Sequence, residues 1–309
     1  MTDIIAFFPG QGAQHIGMLA DIAIENAIIE ETFAEASDSL NFDLWDMVQN
    51  GTDATLSLTY NTQPALLTAS VALWRLVQAK TSNLNITAAA GHSLGEYSAL
   101  VAANALSFAD AVRLVRTRGE LMDAAVPAGQ GAMAAILGLD EQQMLAVCAQ
   151  ASQVAAVDPA NYNAPGQIVI AGASEGVAKA IELAKEAGAK RAIPLAVSGP
   201  FHSKLMKAAA EKFADALAAV TFSAPVFPIY HNIDNKPANL ANIPQQLLEQ
   251  LYSPVNWIGA VEACRSTTDL AVEFGPGKVL AGLNKRIDKT LETLTTGDLA
   301  ALQATLARL

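Results

Sequence analysis

The sequence has few cysteines and a deficit of positive charge. Only two cysteines, Cys148 and Cys264, occur among 309 residues. They lie far apart and lack the C-x-x-C spacing of redox or zinc sites, so we expect neither a disulfide framework nor a cysteine-based metal site. The formal net charge is −11. Because nucleic acids and anionic membranes repel an acidic surface, neither is expected as a general partner.

A basic leader and long apolar runs are also missing. The chain opens with Asp3 and a short apolar run, without the basic region and long hydrophobic region of a secretory signal. No later apolar run approaches the length that spans a membrane. We therefore expect a cytoplasmic protein. Hydrophobic residues still make up 52% of the chain, which is enough to bury a sizeable core.

Strand-like and helix-like segments alternate along most of the chain. Residues 4–8 form a short apolar run that ends in a Pro-Gly turn, as is typical of a buried parallel strand. Helical spacing of apolar residues predicts helices over 63–80, 109–126 and 203–220, and another apolar run predicts a strand over 226–230. This alternation predicts an α/β fold with a parallel sheet, similar to α/β-hydrolases.

Residues 127–198 show a different order of elements. The pattern predicts strands at 131–138, 153–157, 167–171 and 191–197, with a turn-rich "DPANYNAPG" segment between the second and third. Two helices lie between these strands, and we expect Asp140 and Ser174 to be their N-caps. This β-α-β-β-α-β order is ferredoxin-like. We therefore predict a small inserted domain at 127–198 and a large domain made of 1–126 and 199–309.

The stretch "GHSLG" at residues 91–95 is the most informative motif. It matches G-x-S-x-G between a predicted strand and a predicted helix, which is the setting of a nucleophile elbow. In that turn Ser93 would project from a tight corner, and the backbone N–H of Leu94 would point to a developing oxyanion. The alternative is a glycine-rich turn in which the serine only caps the helix.

A serine nucleophile needs a base, and the chain has four histidines. We favour His202, which lies between the last strand of the small domain and the next helix. His92 adjoins Ser93 and is expected to point away from it. A metal site made by His92 and Glu96 is disfavoured because the elbow would break the helix between them. Structural roles are expected for the other two, His15 and His231.

The segment "FFPGQGAQ" at residues 7–14 follows the first strand. Its glycines, Gly10 and Gly12, suggest a phosphate-binding loop, but the G-x-G-x-x-G spacing fails and no G-K-[ST] follows. A second interpretation is that the glycines let the Gln11 amide approach the reacting centre. It would then be a second oxyanion donor beside Leu94.

Eight motifs together carry a resemblance to a known family. They are "FPGQGAQ", "TQPALLTAS", "GHSLGEYSAL", the "RG" at 118–119, "NAPGQIVIAG", "GPFHSKLM", "LYSPVNW" and "EFGPGKVL". In this order and spacing the chain resembles the malonyl-CoA:acyl-carrier-protein transacylases of bacterial fatty-acid synthesis, over nearly its whole length. It is also similar to the acyltransferase domains of polyketide synthases.

The resemblance implies a role for several residues of this chain. Ser93 matches the nucleophile that takes the malonyl group as an ester, and His202 matches its base. The main-chain carbonyl of Gln250 takes the place of the usual acidic residue that orients the base. Gln11 and Leu94 match the two backbone donors of the oxyanion hole.

The resemblance also implies how the acyl group is selected. Arg118 matches the arginine that pairs with the free carboxylate of malonate, and Gln63 matches a polar residue of the same pocket. Phe201 matches a bulky position that accompanies malonyl rather than methylmalonyl use.

The partners implied by the resemblance are malonyl-CoA with its coenzyme A product and an acyl carrier protein. No metal or cofactor is needed, and we expect a monomer. Because carrier proteins are acidic, docking requires local basic clusters, although both clusters can equally be ordinary solvated faces. The densest clusters are Lys185, Lys190 and Arg191 in the small domain, and Lys278, Lys285, Arg286 and Lys289 near the C-terminus.

Three other functions stay open from the sequence. A serine hydrolase or thioesterase would use the same elbow and histidine but would have no reason to keep a carboxylate-binding arginine. A non-catalytic subunit would keep the fold and lose the nucleophile. A free-standing acyltransferase of a polyketide pathway would keep both the fold and the chemistry.

Overall fold

The computed structural model describes residues 1–266 and 268–309, and within them nine strands form two sheets. In chain order the strands are β1 (Thr2–Phe8), β2 (Leu84–Gly91), β3 (Gly131–Leu137), β4 (Val157–Ala164), β5 (Gln167–Ala173), β6 (Arg191–Pro194), β7 (Val255–Asn256), β8 (Leu270–Glu273) and β9 (Glu292–Thr295).

Fourteen α-helices occur in the same described residues. They are α1 (Ala20–Ala23), α2 (Ile28–Leu40), α3 (Leu44–Asn50), α4 (Asp53–Leu56), α5 (Thr59–Lys80), α6 (Gly95–Ala102), α7 (Phe108–Asp123), α8 (Glu141–Ala151), α9 (Ser174–Glu186), α10 (Lys207–Ala218), α11 (Ile243–Gln250), α12 (Trp257–Arg265), α13 (Val279–Ile287) and α14 (Leu299–Arg308). Of the helices in 1–266 and 268–309, none has both the length and the apolar character needed to cross a bilayer.

The first sheet is parallel, with the strand order β2-β1-β8-β9. Strand β1 lies inside it and is buried on both faces. Ile4, Ala6 and Phe8 pack into one hydrophobic core, whereas Ile5 and Phe7 pack into a second core on the opposite face. A strand covered on both faces needs a continuous apolar run, which is what the sequence has here. The predicted α/β fold with a parallel sheet is confirmed.

The second sheet has the order β6-β3-β5-β4-β7. Strands β3 to β6 come from the segment 127–198 and pair antiparallel in the ferredoxin-like order. Helices α8 and α9 share a hydrophobic core with this sheet. Strand β7, however, comes from outside the segment and pairs with β4 in parallel. The division of the chain at 127 and 198 stays a prediction.

The predicted strand at 153–157 was wrong. The strand is β4, which occupies most of the segment that the composition suggested was a turn. Asn, Asp and Pro disfavour strands, but β4 pairs with β5 and β7 and tolerates them through two irregularities in its register, one beside Pro159. The turn between β4 and β5 is the short Pro165-Gly166 step, where Gly166 has a φ of 69°.

Two further local predictions needed correction. Ser174 is the first residue of α9 and not its N-cap, because its hydroxyl donates to the carbonyl of Gly129 at 2.7 Å. Residues 226–230 form only isolated bridges, one between Ile229 and Ala89 and one between Tyr230 and Pro237. Pro228 lacks the N–H that a continuous ladder would require. The N-cap Asp140 is confirmed, and Gln143 completes a capping box with it.

Helices α5 and α7 pack together and support one wall of the site described below. Helix α5 begins at Thr59, earlier than predicted, and contains Pro64. The missing N–H of that proline leaves the Tyr60 carbonyl without its helical donor, and Arg116 of α7 donates to it at 3.3 Å. Gly119 permits this approach, because a Cβ there would lie 2.5 Å from the Cα of Tyr60.

The predicted helix over 203–220 starts later than expected. A single 3₁₀ turn, Lys204–Met206, precedes α10. The residues just before this turn are therefore in a loop that packs beside the C-terminal end of α11, where the backbone N–H of His202 donates to the carbonyl of Leu251 at 3.1 Å.

Candidate active site

Ser93 lies at a sharp corner between β2 and α6, and its φ is 51°. A left-handed conformation is uncommon for a residue with a side chain and concentrates at functional sites. The flanking glycines allow the corner to pack: a Cβ on Gly95 would lie 2.0 Å from the Phe8 carbonyl oxygen, and one on Gly91 would lie 1.9 Å from the backbone of Gly95. The serine therefore sits on a tight turn at the carboxyl ends of two parallel strands.

Asn232 holds this corner from behind. Its Oδ1 accepts from the backbone N–H of Ser93 at 2.7 Å, and its Nδ2 donates to the carbonyl of Gly91 at 2.7 Å. The residue is fully buried. Both bonds secure the strained backbone, so Asn232 stabilises the orientation of the serine without touching its hydroxyl. No local pattern in the sequence indicated this residue.

His202 lies beside the serine hydroxyl. Its Nε2 is 2.8 Å from Ser93 Oγ, and its Nδ1 is 2.7 Å from the main-chain carbonyl oxygen of Gln250. A carbonyl oxygen only accepts, so Nδ1 carries the proton and Nε2 is free to accept from the serine. Gln250 is the last residue of α11. The carbonyls at the C-terminus of a helix carry partial negative charge, which favours a cationic imidazole when one forms.

The imidazole of His202 is neutral over the physiological pH range. Burial, together with the positive charge of Arg118, lowers the pKa of His202 to about 3, and the bond to the Gln250 carbonyl only partly opposes this. A neutral imidazole has a lone pair with which it can accept a proton.

Arg118 is buried beside the same hydroxyl, with 1% of its surface exposed. Its Nη1 donates to Gln63 Oε1 at 2.8 Å, and its Nη2 donates to Gln250 Oε1 at 2.9 Å and to Ser93 Oγ at 3.1 Å. No carboxylate of residues 1–266 or 268–309 forms an ion pair with it. Burial lowers the pKa of Arg118. A buried guanidinium held by neutral oxygens is well placed to bind an anion that enters the site.

The buried carboxylate of Glu96 is linked to Arg118 through the side chain of Gln250. Glu96 Oε2 accepts from Gln250 Nε2 at 2.7 Å, so the side-chain oxygen of Gln250 faces Arg118. Glu96 Oε1 accepts from His231 Nδ1 at 2.6 Å. Burial lowers the pKa of His231, but the hydrogen bond and the negative charge of Glu96 outweigh it, so the pKa is raised. The glutamate therefore orients Gln250 and indirectly the guanidinium. This role was not anticipated from the sequence.

These groups surround a cavity of about 130 Å³. It is smaller than the roughly 300–1,000 Å³ of pockets that hold drug-sized ligands, so it suits a short acyl group. The sequence-predicted residues that line it are Gln11, Gln63, Ser93, Leu94, Arg118, Phe201 and His202. Gln250 does not line the cavity. It forms hydrogen bonds with three residues that do, namely Arg118, His202 and Ser93.

The chain is similar to known acyltransferases over most of its length. A family model described as the acyl transferase domain matches residues 7–276. The malonyl CoA-acyl carrier protein transacylase of Salmonella typhimurium is 51% identical over 100% of both chains. The chain belongs to the malonyl CoA-acyl carrier protein transacylase family.

Another curated relative and two solved structures are also similar to this chain. The transacylase of Bacillus subtilis is 48% identical over 96% of this chain and 94% of its own. An acyl carrier protein S-malonyltransferase from Vibrio cholerae has a TM-score of 0.95, with 50% identity, and the match covers 99% and 100% of the two chains. A malonyl-transacylase solved in complex with a type II polyketide acyl-carrier protein has a TM-score of 0.97, with 48% identity over 100% of both chains.

Several residues that line the cavity were not predicted from the sequence. They are Met122, Met133, Asn161, Leu195 and Val197. Met122 lies four residues after Arg118 on α7, and that spacing places both on one helix face, so it could have been found. Asn161 lies on β4, which was assigned to a turn, and no signal in the sequence indicated it.

His92 also lines the cavity, although it was expected to point away from Ser93. Its Nε2 is 2.8 Å from Asn163 Oδ1, and its ring lies 5.7 Å from that of Trp257. Burial lowers the pKa of His92. These contacts hold His92 on the cavity wall while the hydroxyl of Ser93 bonds with His202.

Proposed function

We propose that this chain transfers the malonyl group from malonyl-CoA to the phosphopantetheine thiol of an acyl carrier protein in fatty-acid synthesis. The observation that carries the proposal is a serine 2.8 Å from a neutral histidine and 3.1 Å from a buried arginine without a carboxylate partner in the described residues. The names of relatives about half identical over the full length support it.

In the first half-reaction, Ser93 attacks the thioester carbonyl carbon while His202 Nε2 takes the hydroxyl proton. The carbon–sulfur bond then breaks, and the proton passes from His202 to the sulfur of coenzyme A. The backbone N–H groups of Gln11 and Leu94 are the proposed oxyanion donors. Both residues line the cavity, and neither N–H donates to another residue of 1–266 and 268–309.

The second half-reaction runs the same steps in reverse. The carrier thiol gives its proton to His202 and attacks the carbonyl carbon of the malonyl ester. The bond between carbon and Ser93 Oγ breaks, and the proton returns from His202 to that oxygen. The chemistry needs no metal ion or resident cofactor, and we propose that the chain works as a monomer in the cytoplasm.

The proposed source of acyl selectivity is Arg118. A guanidinium fork meets a carboxylate with two parallel hydrogen bonds, and such a charge-assisted pair is worth about 1.5–3 kcal/mol. Acetyl-CoA offers no such partner. Phe201, which is buried in the cavity wall, is the proposed barrier to a methyl branch. A single methyl is discriminated by about 1–3 kcal/mol.

The proposed protein partner is an acyl carrier protein. A relative 48% identical to this chain has been solved in complex with one, which supports the assignment. For docking we propose the C-terminal basic cluster, because Lys278, Lys285 and Lys289 are exposed along one groove. Arg286 is already bound to Gln167. The cluster Lys185, Lys190 and Arg191 is the alternative docking site.

The test is the intact mass of the protein after brief exposure to malonyl-CoA and again after addition of holo acyl carrier protein. We expect one malonyl group to appear on the protein and then to move to the carrier. Carriers from fatty-acid and from polyketide synthesis are tested side by side, and the one acylated faster identifies the pathway. Release of the label as free malonate would instead show a hydrolase or thioesterase.

The low pKa of His202 predicts the pH dependence of the reaction. The value of about 3 lies below the usual range for histidine, so the base stays neutral as the pH falls through about 6.5, where a free imidazole titrates. We expect kcat/KM for malonyl-CoA to stay flat from about pH 8 to about pH 5, because this constant reports the free enzyme. Initial rates in constant-ionic-strength buffers measure it.

The same depressed pKa has a consequence for stability. A histidine that is neutral when folded and charged when unfolded destabilises the fold progressively as the pH falls below about 6.5. We therefore expect the His202→Gln variant to lose less stability between about pH 7 and pH 5 than the wild type. For the pH dependence of kcat/KM described above, an acid limb centred near pH 6.5 would contradict the assignment of a depressed pKa to His202.

A further inference from the structure

Asn161 stands apart among the polar residues of the cavity. It is buried, with 6% of its surface exposed, and it lines the cavity from strand β4. Its backbone pairs with Val169 and Val255 in the sheet. Its side-chain amide forms no hydrogen bond with any residue of 1–266 and 268–309. The amide opens into the cavity without a partner among the described residues, so this side chain is placed to bind something that enters.

The other polar side chains around the cavity have partners, except that of Gln11, which is exposed. Ser93 bonds to His202, and Arg118 bonds to Gln63. The neighbouring asparagine on the same strand is engaged too, because Asn163 binds His92 at 2.8 Å. The two asparagines of this strand thus differ: the side chain of Asn163 is bound to His92, whereas the donors and the acceptor of Asn161 are available to a ligand.

The chemistry of the substrate shows what remains for Asn161 to bind. The malonyl carboxylate goes to Arg118, and the thioester oxygen goes to the amides of Gln11 and Leu94. The next polar group along the chain is the amide of the cysteamine unit, two carbons beyond the sulfur. An asparagine side chain matches such an amide, because it donates through its NH₂ and accepts through its oxygen.

We propose that Asn161 binds this first amide of the phosphopantetheine arm. The inference rests on the proposed function and adds the residue that aligns the thioester sulfur. Coenzyme A and the carrier protein share the amide, so one residue serves both half-reactions. It positions the leaving sulfur in the first and the attacking sulfur in the second, without contact with the reacting bond itself.

The test combines a variant with a truncated substrate. Malonyl-N-acetylcysteamine thioester contains the amide, whereas malonyl ethyl thioester lacks it and is otherwise similar around the sulfur. We expect Asn161→Ala to lower kcat/KM for the first substrate about 10-fold, the size typical of one lost hydrogen bond to a positioned neutral group. For the ethyl thioester we expect a change below about twofold, because no bond to this residue exists to lose.

The comparison separates positioning from a structural role. If Asn161 only supports the fold, both substrates lose activity by the same factor, and that result overturns the proposal. Asn161→Leu keeps a similar side-chain size and removes both the donors and the acceptor without adding a charge, so it should also affect mainly the amide substrate. Thermal unfolding of each variant is measured in parallel, and Asn161→Ser replaces Asn161→Ala if the latter is less than fully folded.

Failure of the inference and failure of the proposed function give different results. If the wild type forms no malonyl ester from malonyl-CoA, the proposed function fails. If it forms the ester from malonyl-CoA and from both truncated thioesters, and Asn161→Ala affects the two truncated thioesters equally, the function stands and the amide site does not exist.

Discussion

Ser93→Ala is expected to abolish formation of the malonyl ester and to lower the rate of malonyl transfer by a factor on the order of 10⁴ or more, as for other covalent nucleophiles. The hydroxyl that bonds to His202 at 2.8 Å is removed, and no other group takes its place as acceptor of the acyl group. Intact mass after exposure to malonyl-CoA, together with the rate of carrier acylation, measures the loss.

A matched control for this variant is Ser98→Ala. Ser98 lies on the adjoining helix α6, is fully buried, and its hydroxyl has no hydrogen-bond partner among the described residues. We expect this variant to keep both ester formation and transfer. Melting temperatures are measured to check that Ser93→Ala is folded. If Ser93→Ala still gained one malonyl group at the wild-type rate, the nucleophile would be a different residue.

Arg118→Gln is expected to remove the preference for malonyl over acetyl groups. The charge-assisted bonds to the malonyl carboxylate contribute about 1.5–3 kcal/mol, which corresponds to a loss of about 10- to 150-fold in kcat/KM for malonyl-CoA. For acetyl-CoA we expect an unchanged or higher kcat/KM, because a buried guanidinium without an anion disfavours its entry. Ester formation from each acyl-CoA, followed by intact mass, measures the ratio.

The control for Arg118→Gln is Arg113→Gln on the same helix. Arg113 is exposed and pairs with Asp110 at 2.7 Å, so its loss should leave the ratio of the two acyl groups unchanged. Arg118 also bonds to Gln63 and Gln250. If Arg118→Gln lowered kcat/KM for both acyl groups by one common factor, the arginine would support the site and would not select the acyl group.

The elements that were predicted well from the sequence are those that show a local pattern of residue types. Strand β1 needed a continuous apolar run because both of its faces are covered. The corner at Ser93 needed glycines at 91 and 95, because a side chain there would overlap backbone atoms. The capping box at Asp140 lies within four residues. Such features can be read from the sequence because each leaves a local run or spacing of residue types, even where the atoms that require it belong to a distant segment.

The errors arose where distant segments meet. Strand β4 contains residues that disfavour strands and forms because β5 and β7 pair with it on both sides. Its misassignment hid Asn161. In the same way, the contacts of Glu96 with His231 and Gln250 span 135 and 154 residues. No local pattern reports such pairs.

The sequence by itself determined the α/β alternation, the strained turn that carries Ser93 and the residue types suited to acyl transfer, because these depend on local spacing and backbone sterics. Only the tertiary structure decided how His202, Arg118 and the carbonyl of Gln250 meet around that serine. It alone places the amide of Asn161 in the cavity without a partner in the part of the chain that the structure describes. Those arrangements depend on packing between segments far apart in the chain, and a single sequence does not encode that packing in any local signal.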